Sequence, residues 1–351
     1  MTRVRIWVVG AGVVGQWLLR ALHSGSETFE RYGFAPVVVG VANARDGFVY
    51  RSDGLDIPTL LELAAGGRSL ADHPGAHHWP SALEGLAATE ADLLVEVSSS
   101  PGTDGEPGFA HMREALRRQV PVATSNKWPV ALHGLELAGI ARSNGVAFRA
   151  ESTVMSGTPV LAALVEGLAG TRPIELRGVL NATANFILSA MAAGASYEDA
   201  VADAQETGLA ERVVDADVEG HDAMAKLMIL AALVFGTQLM AERVERQGIT
   251  GVTAADIEQA ASEGRRVRHV GTLGFSGADA TGELTARVEP MALPLDDPLA
   301  GVEGATNAIV CRAEPVGEVT IAGPGAGLAL AGQGVLSDLI AIAREHARVR
   351  S

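Results

Sequence analysis

Apolar positions come in short runs at the start of the chain. Val4 to Val9 is the first, followed by the turn Gly10-Ala11-Gly12-Val13-Val14-Gly15 and a helical pattern from Gln16 to Leu22. Pro36–Val41, Leu93–Val97 and Val120–Ala123 are further apolar runs, the last preceded by a helical pattern from Phe109 to Arg118. Short apolar strands alternating with helices predict parallel βαβ units. A Pro/Gly/acid stretch, Pro101 to Gly108, reads as a loop at the edge of a site.

Beyond residue 145 the texture changes. Gly145–Glu151 and Ile174–Leu180 look like strands, with a helix from about Val160 to Leu168 between them. Ser196 with Asp199 opens a helix that Gly208 closes, and Thr253 with Asp256 opens another that Gly264 closes. Ala223–Met240 is strongly apolar but carries Lys226, so it reads as a buried helix. Thr285–Val288 and Ala308–Ala313 look like strands, and Gly334–Arg348 is a helical pattern. The fold class predicted is α/β. A Rossmann-type parallel sheet over 1–145, completed by 320–351, is followed by a second α/β domain over 146–319.

Composition narrows the function. Across 351 residues, 27 basic and 42 acidic side chains give a net charge of −15, which argues against a general nucleic-acid surface. A single cysteine, Cys311, excludes an intrachain disulfide and suits a reducing compartment. The N-terminus runs straight into a strand pattern, so neither a signal peptide nor a membrane span is expected, and the localisation expected is cytoplasmic.

The glycine turn fits G-x-G-x-x-G in the strand-to-helix context the motif requires. Gly10 makes the tight turn, Gly12 lets a pyrophosphate approach, and Gly15 lets helix pack on strand. The amides of Val13 and Val14 at the helix start would face the anion. An NAD site would end the second strand with an acid. Here it reads Val41-Ala42-Asn43-Ala44-Arg45, and Arg45 could pair a 2′-phosphate, so NADP(H) is favoured, with NAD(H) as the alternative.

The segment from Glu211 to Lys226, ERVVDADVEGHDAMAK, gathers acids and one lysine around a turn leading into a helix. Asp222 and Lys226 are four apart and share a helix face. Such a pair can bind a polar substrate and hand it a proton, or be an ordinary surface ion pair.

The chain resembles the homoserine dehydrogenase family over nearly its whole length. The resemblance is carried by Thr124-Ser125-Asn126-Lys127, by Glu151 to Pro159, by Asn181 to Leu188, by Gly208 to Lys226, by Gly323 to Gly327 and by Val335 to Asp338. It implies reversible hydride transfer between NAD(P)H and aspartate 4-semialdehyde, a small amino-acid substrate, giving homoserine. An aldehyde becoming an alkoxide needs a proton donor within reach. Lys226 is the first candidate and Lys127 the second, with Asp222 orienting the lysine or binding the hydroxyl. Glu211 and Asp217 would meet the amino group, and Thr183 and Asn181 the substrate end. Ser98, Ser99 and Asn126 would lie near the nicotinamide and its ribose. The resemblance also implies a homodimer and a monovalent cation, Na⁺ or K⁺, held by Glu151 with the carbonyls of Val154, Ser156 and Thr158, although Met155 stands where the family has a glycine.

Two departures put the substrate in question. The family's E-P-D-P reads Glu211-Arg212-Val213-Val214, and Ala182 replaces the glycine of N-G-T. A reductase of a related amino-acid aldehyde or ketone is therefore a second reading. An acyl-phosphate-forming dehydrogenase using Cys311, and a cofactor sensor needing no lysine, are the others. No regulatory domain is expected after the closing motif.

Overall fold

The computed structural model describes residues 1–210, 212–276 and 282–350, with residues 349 and 350 described by backbone alone. The chain divides into two compact units, one of Met1–Thr153 with Leu328–Ser351 and one of Val154–Gly327.

The first unit is built on a seven-stranded sheet: β1 (Thr2–Val9), β2 (Phe34–Asn43), β3 (Gly47–Tyr50), β4 (His77–Trp79), β5 (Leu93–Glu96), β6 (Val122–Thr124) and β7 (Phe148–Arg149). Their order is β4-β3-β2-β1-β5-β6-β7. The five strands from β2 to β7 are parallel, and β3 and β4 extend the edge antiparallel. The chain leaves β1 toward β2 on one side and returns at β5 on the other. The crevice at the carboxyl ends of β1 and β5 is thus a topological switch point, where open parallel sheets bind ligands.

Alternation along β1 makes both faces of the sheet. Val4, Ile6 and Val8 point into one core cluster, and Trp7 and Val9 into the other. The first cluster includes Leu18, Leu19 and Leu22 from the helix Val13–Ser24 together with Val335, Leu339 and Ile342 from the helix Leu328–Arg350. The last helix of the chain therefore finishes the core that the first strand begins. Buried Asp338, also on that helix, accepts a hydrogen bond from the Glu151 amide at 2.9 Å.

The second unit carries a six-stranded sheet from β8 (Arg172–Val179), β9 (Val244–Arg246), β10 (Arg265–Phe275), β11 (Leu284–Pro294), β12 (Thr306–Glu314) and β13 (Gly317–Pro324), ordered β13-β12-β8-β10-β11-β9. Helices Ala182–Ala192, His221–Leu233 and Ala254–Ser262 pack on it.

Several elements differ from their predicted form. The apolar stretch from Ala223 stops being helical at Leu233, and Gly236 at φ +65° turns the chain. The helix expected at Val160–Leu168 is a wider π-helix over Ala162–Gly167. At Thr253 and Asp256 the reciprocal capping box is complete, whereas Ser196 accepts from the Asp199 amide without the return bond. Among the described residues no helix is long and apolar enough to cross a membrane.

Candidate active site

The chemistry falls on both units. In the first, the glycine turn has the geometry its motif demands. Gly10 has φ +113°, and a Cβ there would lie 2.5 Å from Ser98 N and Val97 C. At Gly15 a Cβ would lie 1.9 Å from the Gly10 carbonyl oxygen. Gly12 differs: a Cβ there would meet nothing within 4 Å. No side chain caps the helix that begins at Val13, so its first amides are left for an anion.

Across the crevice, a polar chain follows β5 and β6. Asn126 Nδ2 donates to Ser100 Oγ at 2.9 Å and to Ser98 Oγ at 3.4 Å. Ser98 Oγ in turn donates to the carboxylate of Glu96, a fully buried side chain at the end of β5. His111, also buried, stands 3.6 Å from the same carboxylate oxygen. Thr124 ties this row to the strands through the Glu96 carbonyl and the Asn126 amide. Ser98 and Asn126 thus belong to one network. Ser99 is exposed, and Lys127 is half-buried at the first turn of the helix Lys127–Asn144. Glu96 and His111 escaped the sequence reading because a lone acid ending an apolar strand carries no motif.

Arg45 is not a bare cation. It donates to both carboxylate oxygens of Asp46 at 3.0 Å, to the Gly67 carbonyl at 3.2 Å and to the Arg68 carbonyl at 2.6 Å. Asp46 is held far below the usual carboxylate range, chiefly by that guanidinium.

In the second unit the residues converge on the end of β8. Asn181 caps the helix Ala182–Ala192, its Oδ1 accepting from the Ala184 amide at 2.7 Å. Its Nδ2 donates to Asp217 Oδ1 at 2.7 Å and Asp222 Oδ2 at 2.9 Å. Asp222 Oδ2 lies 2.8 Å from Lys226 Nζ, and that ammonium also donates to the Leu180 carbonyl at 2.7 Å. Lys226 is 7% exposed, so this is no solvated surface pair. Burial pushes the Asp217 carboxyl above its usual range; the bond from Asn181 opposes this, and the nearby Asp222 adds to it. Thr183 is buried beside them, its hydroxyl donating to the Leu209 carbonyl at 3.4 Å. Arg212 is exposed, and Glu211 lies outside the described residues. Asn307, on β12, also reaches the Leu180 carbonyl, at 2.8 Å, and no motif had singled it out.

Near the boundary of the units, Ser156 has φ +51° and its hydroxyl donates to the Gly325 carbonyl at 3.2 Å. Thr158 Oγ1 donates to the Pro324 carbonyl at 3.2 Å. Met155 is fully buried. Cys311 lies within the sheet, 1% exposed, and burial raises its thiol pKa, the reverse of what a nucleophile needs.

A dinucleotide turn at a switch point, together with a buried lysine–carboxylate pair, defines a nicotinamide-dependent oxidoreductase of the Rossmann class. Comparison with known proteins gives the family. Residues 159–340 match the family model described as homoserine dehydrogenase. A protein of Pseudomonas canavaninivorans named NAD(+)-dependent homoserine dehydrogenase is 38% identical over 99% of this chain and 98% of its own. The homoserine dehydrogenase of Methanocaldococcus jannaschii is 31% identical over 96% of this chain and 98% of its own. A solved structure of a hyperthermophilic archaeal homoserine dehydrogenase in complex with NADPH superposes with a TM-score of 0.81 at 30% identity, covering 98% of both chains. The chain belongs to the homoserine dehydrogenase family.

Proposed function

We propose that the protein reduces aspartate 4-semialdehyde to homoserine and runs the reverse oxidation, with Lys226 as the proton donor. The observation that carries this is the buried ammonium held 2.8 Å from Asp222 and 2.7 Å from the Leu180 carbonyl. A general acid must be oriented before it is useful, and the two acceptors fix where Nζ points. Asn181 holds Asp222 against Asp217, leaving Asp217 to meet the substrate ammonium. Thr183, buried close by, would hold the substrate end, and Lys127 is the second candidate acid.

The glycine turn, Ser98 and Asn126 would hold the cofactor, which supplies or accepts the hydride. On the nicotinamide form, the structure supports NAD(H) over the NADP(H) favoured by the strand-end sequence. Asp46 already neutralises Arg45, and a 2′-phosphate would have to displace it. The family resemblance would give Na⁺ or K⁺ the Glu151 carboxylate and the carbonyls of Val154, Ser156 and Thr158, all oxygen donors of the kind hard cations take. The second unit would carry the contacts of a homodimer, which sedimentation of the purified protein tests.

Cofactor absorbance, followed with homoserine and a panel of related amino alcohols and both oxidised dinucleotides, tests the activity. Turnover confined to a different amino alcohol would refute the substrate. No turnover with any would refute the reaction.

A further inference from the structure

The Leu180 carbonyl oxygen accepts two hydrogen bonds, from Lys226 Nζ at 2.7 Å and from Asn307 Nδ2 at 2.8 Å. Asn307 is fully buried on β12, and its own Oδ1 is buried with no hydrogen-bond partner among the described residues. Gly325, just past the end of β13, presses on the same carboxamide: a Cβ there would lie 2.2 Å from Asn307 Cγ and 2.3 Å from Oδ1.

The fold alone does not call for this asparagine. The ammonium already satisfies the Leu180 oxygen, and an amide oxygen buried without a donor is destabilising. A leucine would fill the space at lower cost. What the asparagine adds is a second donor on the carbonyl that holds the lysine. That second N–H points its positive end at the oxygen beside the ammonium, so it offsets part of the carbonyl's negative charge and opposes the charged form of the lysine.

We propose that Asn307 is a positioning residue for Lys226: it fixes the direction of the Leu180 carbonyl and loosens that carbonyl's hold on the lysine's proton. Among the described contacts, the charged groups facing Lys226 are Asp222 on its own helix and Asp217 on the preceding turn. Both favour the ammonium, and Asn307 acts against them from the strand side. The role was invisible in the sequence because it runs through a backbone atom 127 residues away. It rests on the assignment of Lys226 as proton donor made above.

The test is the pH profile of homoserine oxidation, where Lys226 must be deprotonated to accept the hydroxyl proton. With Asn307→Leu the carbonyl holds the ammonium alone, the lysine pKa rises, and the acidic limb of kcat moves up by about half a pH unit or more. Asn307→Asp, of equal volume, cannot donate when ionised and adds a negative charge, so its limb moves further in the same direction. KM for the dinucleotide should stay within about twofold in both, since the first unit is untouched. A purely structural role would lower the melting temperature and leave the limb in place. If Asn307→Leu does not fold, the isosteric Asn307→Asp and the smaller Asn307→Ser carry the measurement. Folded, active variants with the wild-type limb would overturn the proposal while leaving the proposed function standing. A wild type inactive toward homoserine, or a Lys226→Ala enzyme with full turnover, would bring down the reading beneath it.

Discussion

Lys226 and Asp222 sit one helical turn apart with Nζ and Oδ2 at 2.8 Å, both nearly shielded from water. At that spacing on a solvated helix the pair would contribute little. Here the same two residues are locked from outside their own helix, by the end of β8 and by the cap of the next helix. An exposed pair has freedom to open, whereas this one is presented in a single arrangement.

Removing the ammonium should therefore be costly in rate and cheap in cofactor binding. Lys226→Ala is expected to lower kcat by roughly 10²–10⁴-fold, the usual worth of a positioned general acid. Dinucleotide affinity, measured by fluorescence titration, should stay near wild type. Undiminished turnover would end the lysine's role.

Asp217 should show a conflict between stability and function. Its carboxyl is raised in the folded state, mainly by burial, so folding favours the protonated form. The stability it contributes is present below its unfolded pKa and is lost as pH rises through the folded value. Asp217→Asn keeps an acceptor for Asn181 without the charge. Its melting temperature should match wild type in acid and exceed it increasingly toward neutral pH, while KM for homoserine rises. A gap that narrows with pH would contradict the assignment.

Cofactor choice should turn on Asp46. Asp46→Asn keeps a side-chain acceptor but removes the charge that neutralises Arg45, freeing the guanidinium for a 2′-phosphate. The ratio of kcat/KM for NADP⁺ over NAD⁺ should rise about tenfold. Arg45→Ala in the wild-type background should change NAD⁺ kinetics little. A strong wild-type preference for NADP⁺, abolished by Arg45→Ala, would reverse the NAD(H) reading.

Two alanine substitutions in one turn should fail differently. Gly10→Ala must force a Cβ into the Val97–Ser98 backbone at a left-handed φ, and should lower the melting temperature sharply. Gly12→Ala has room and an extended φ of −77°, so the protein should fold normally. The new methyl would occupy the pyrophosphate's approach and weaken dinucleotide binding by about tenfold or more. Calorimetry paired with titration separates the two.

Cys311→Ala should retain full turnover. It should cost about 1–2 kcal/mol in stability, as loss of a small buried side chain does, measured by denaturant unfolding. A large loss of rate would revive the covalent mechanism.

Legibility in the sequence followed the length scale of each feature. β1 and its glycines could be read because hydrophobicity, turn chemistry and helix start all lie within about twenty residues, the scale on which the motif is defined. Much of β10 could not, since Arg265-Arg266-Val267-Arg268-His269 does not look like an interior strand. Arg268 is only 1% exposed because its guanidinium donates to the Val267 and Ala300 carbonyls. β3, only four residues hairpinned back onto β2 across a short turn, and β4, a three-residue edge strand of His77-His78-Trp79, are too short to show a period of alternation. Lys226 and Asp222 were visible as an i, i+4 pair, but Asn181 bridging Asp217 and Asp222, and Asn307 on the Leu180 carbonyl, join positions that only the fold brings together. For Arg45 the residue type is legible, whereas its bidentate pairing with Asp46 shows only in the structure.

The helix Leu328–Arg350 lays Leu339 and Ile342 on the face of β1 that begins the chain. A ribosome delivers those residues only after all of Val154–Gly327 has emerged. Until then Val4, Ile6, Val8 and Leu18 lack the part of their cover that this helix supplies, and the first unit waits with an unfinished apolar face while its neighbour is being made.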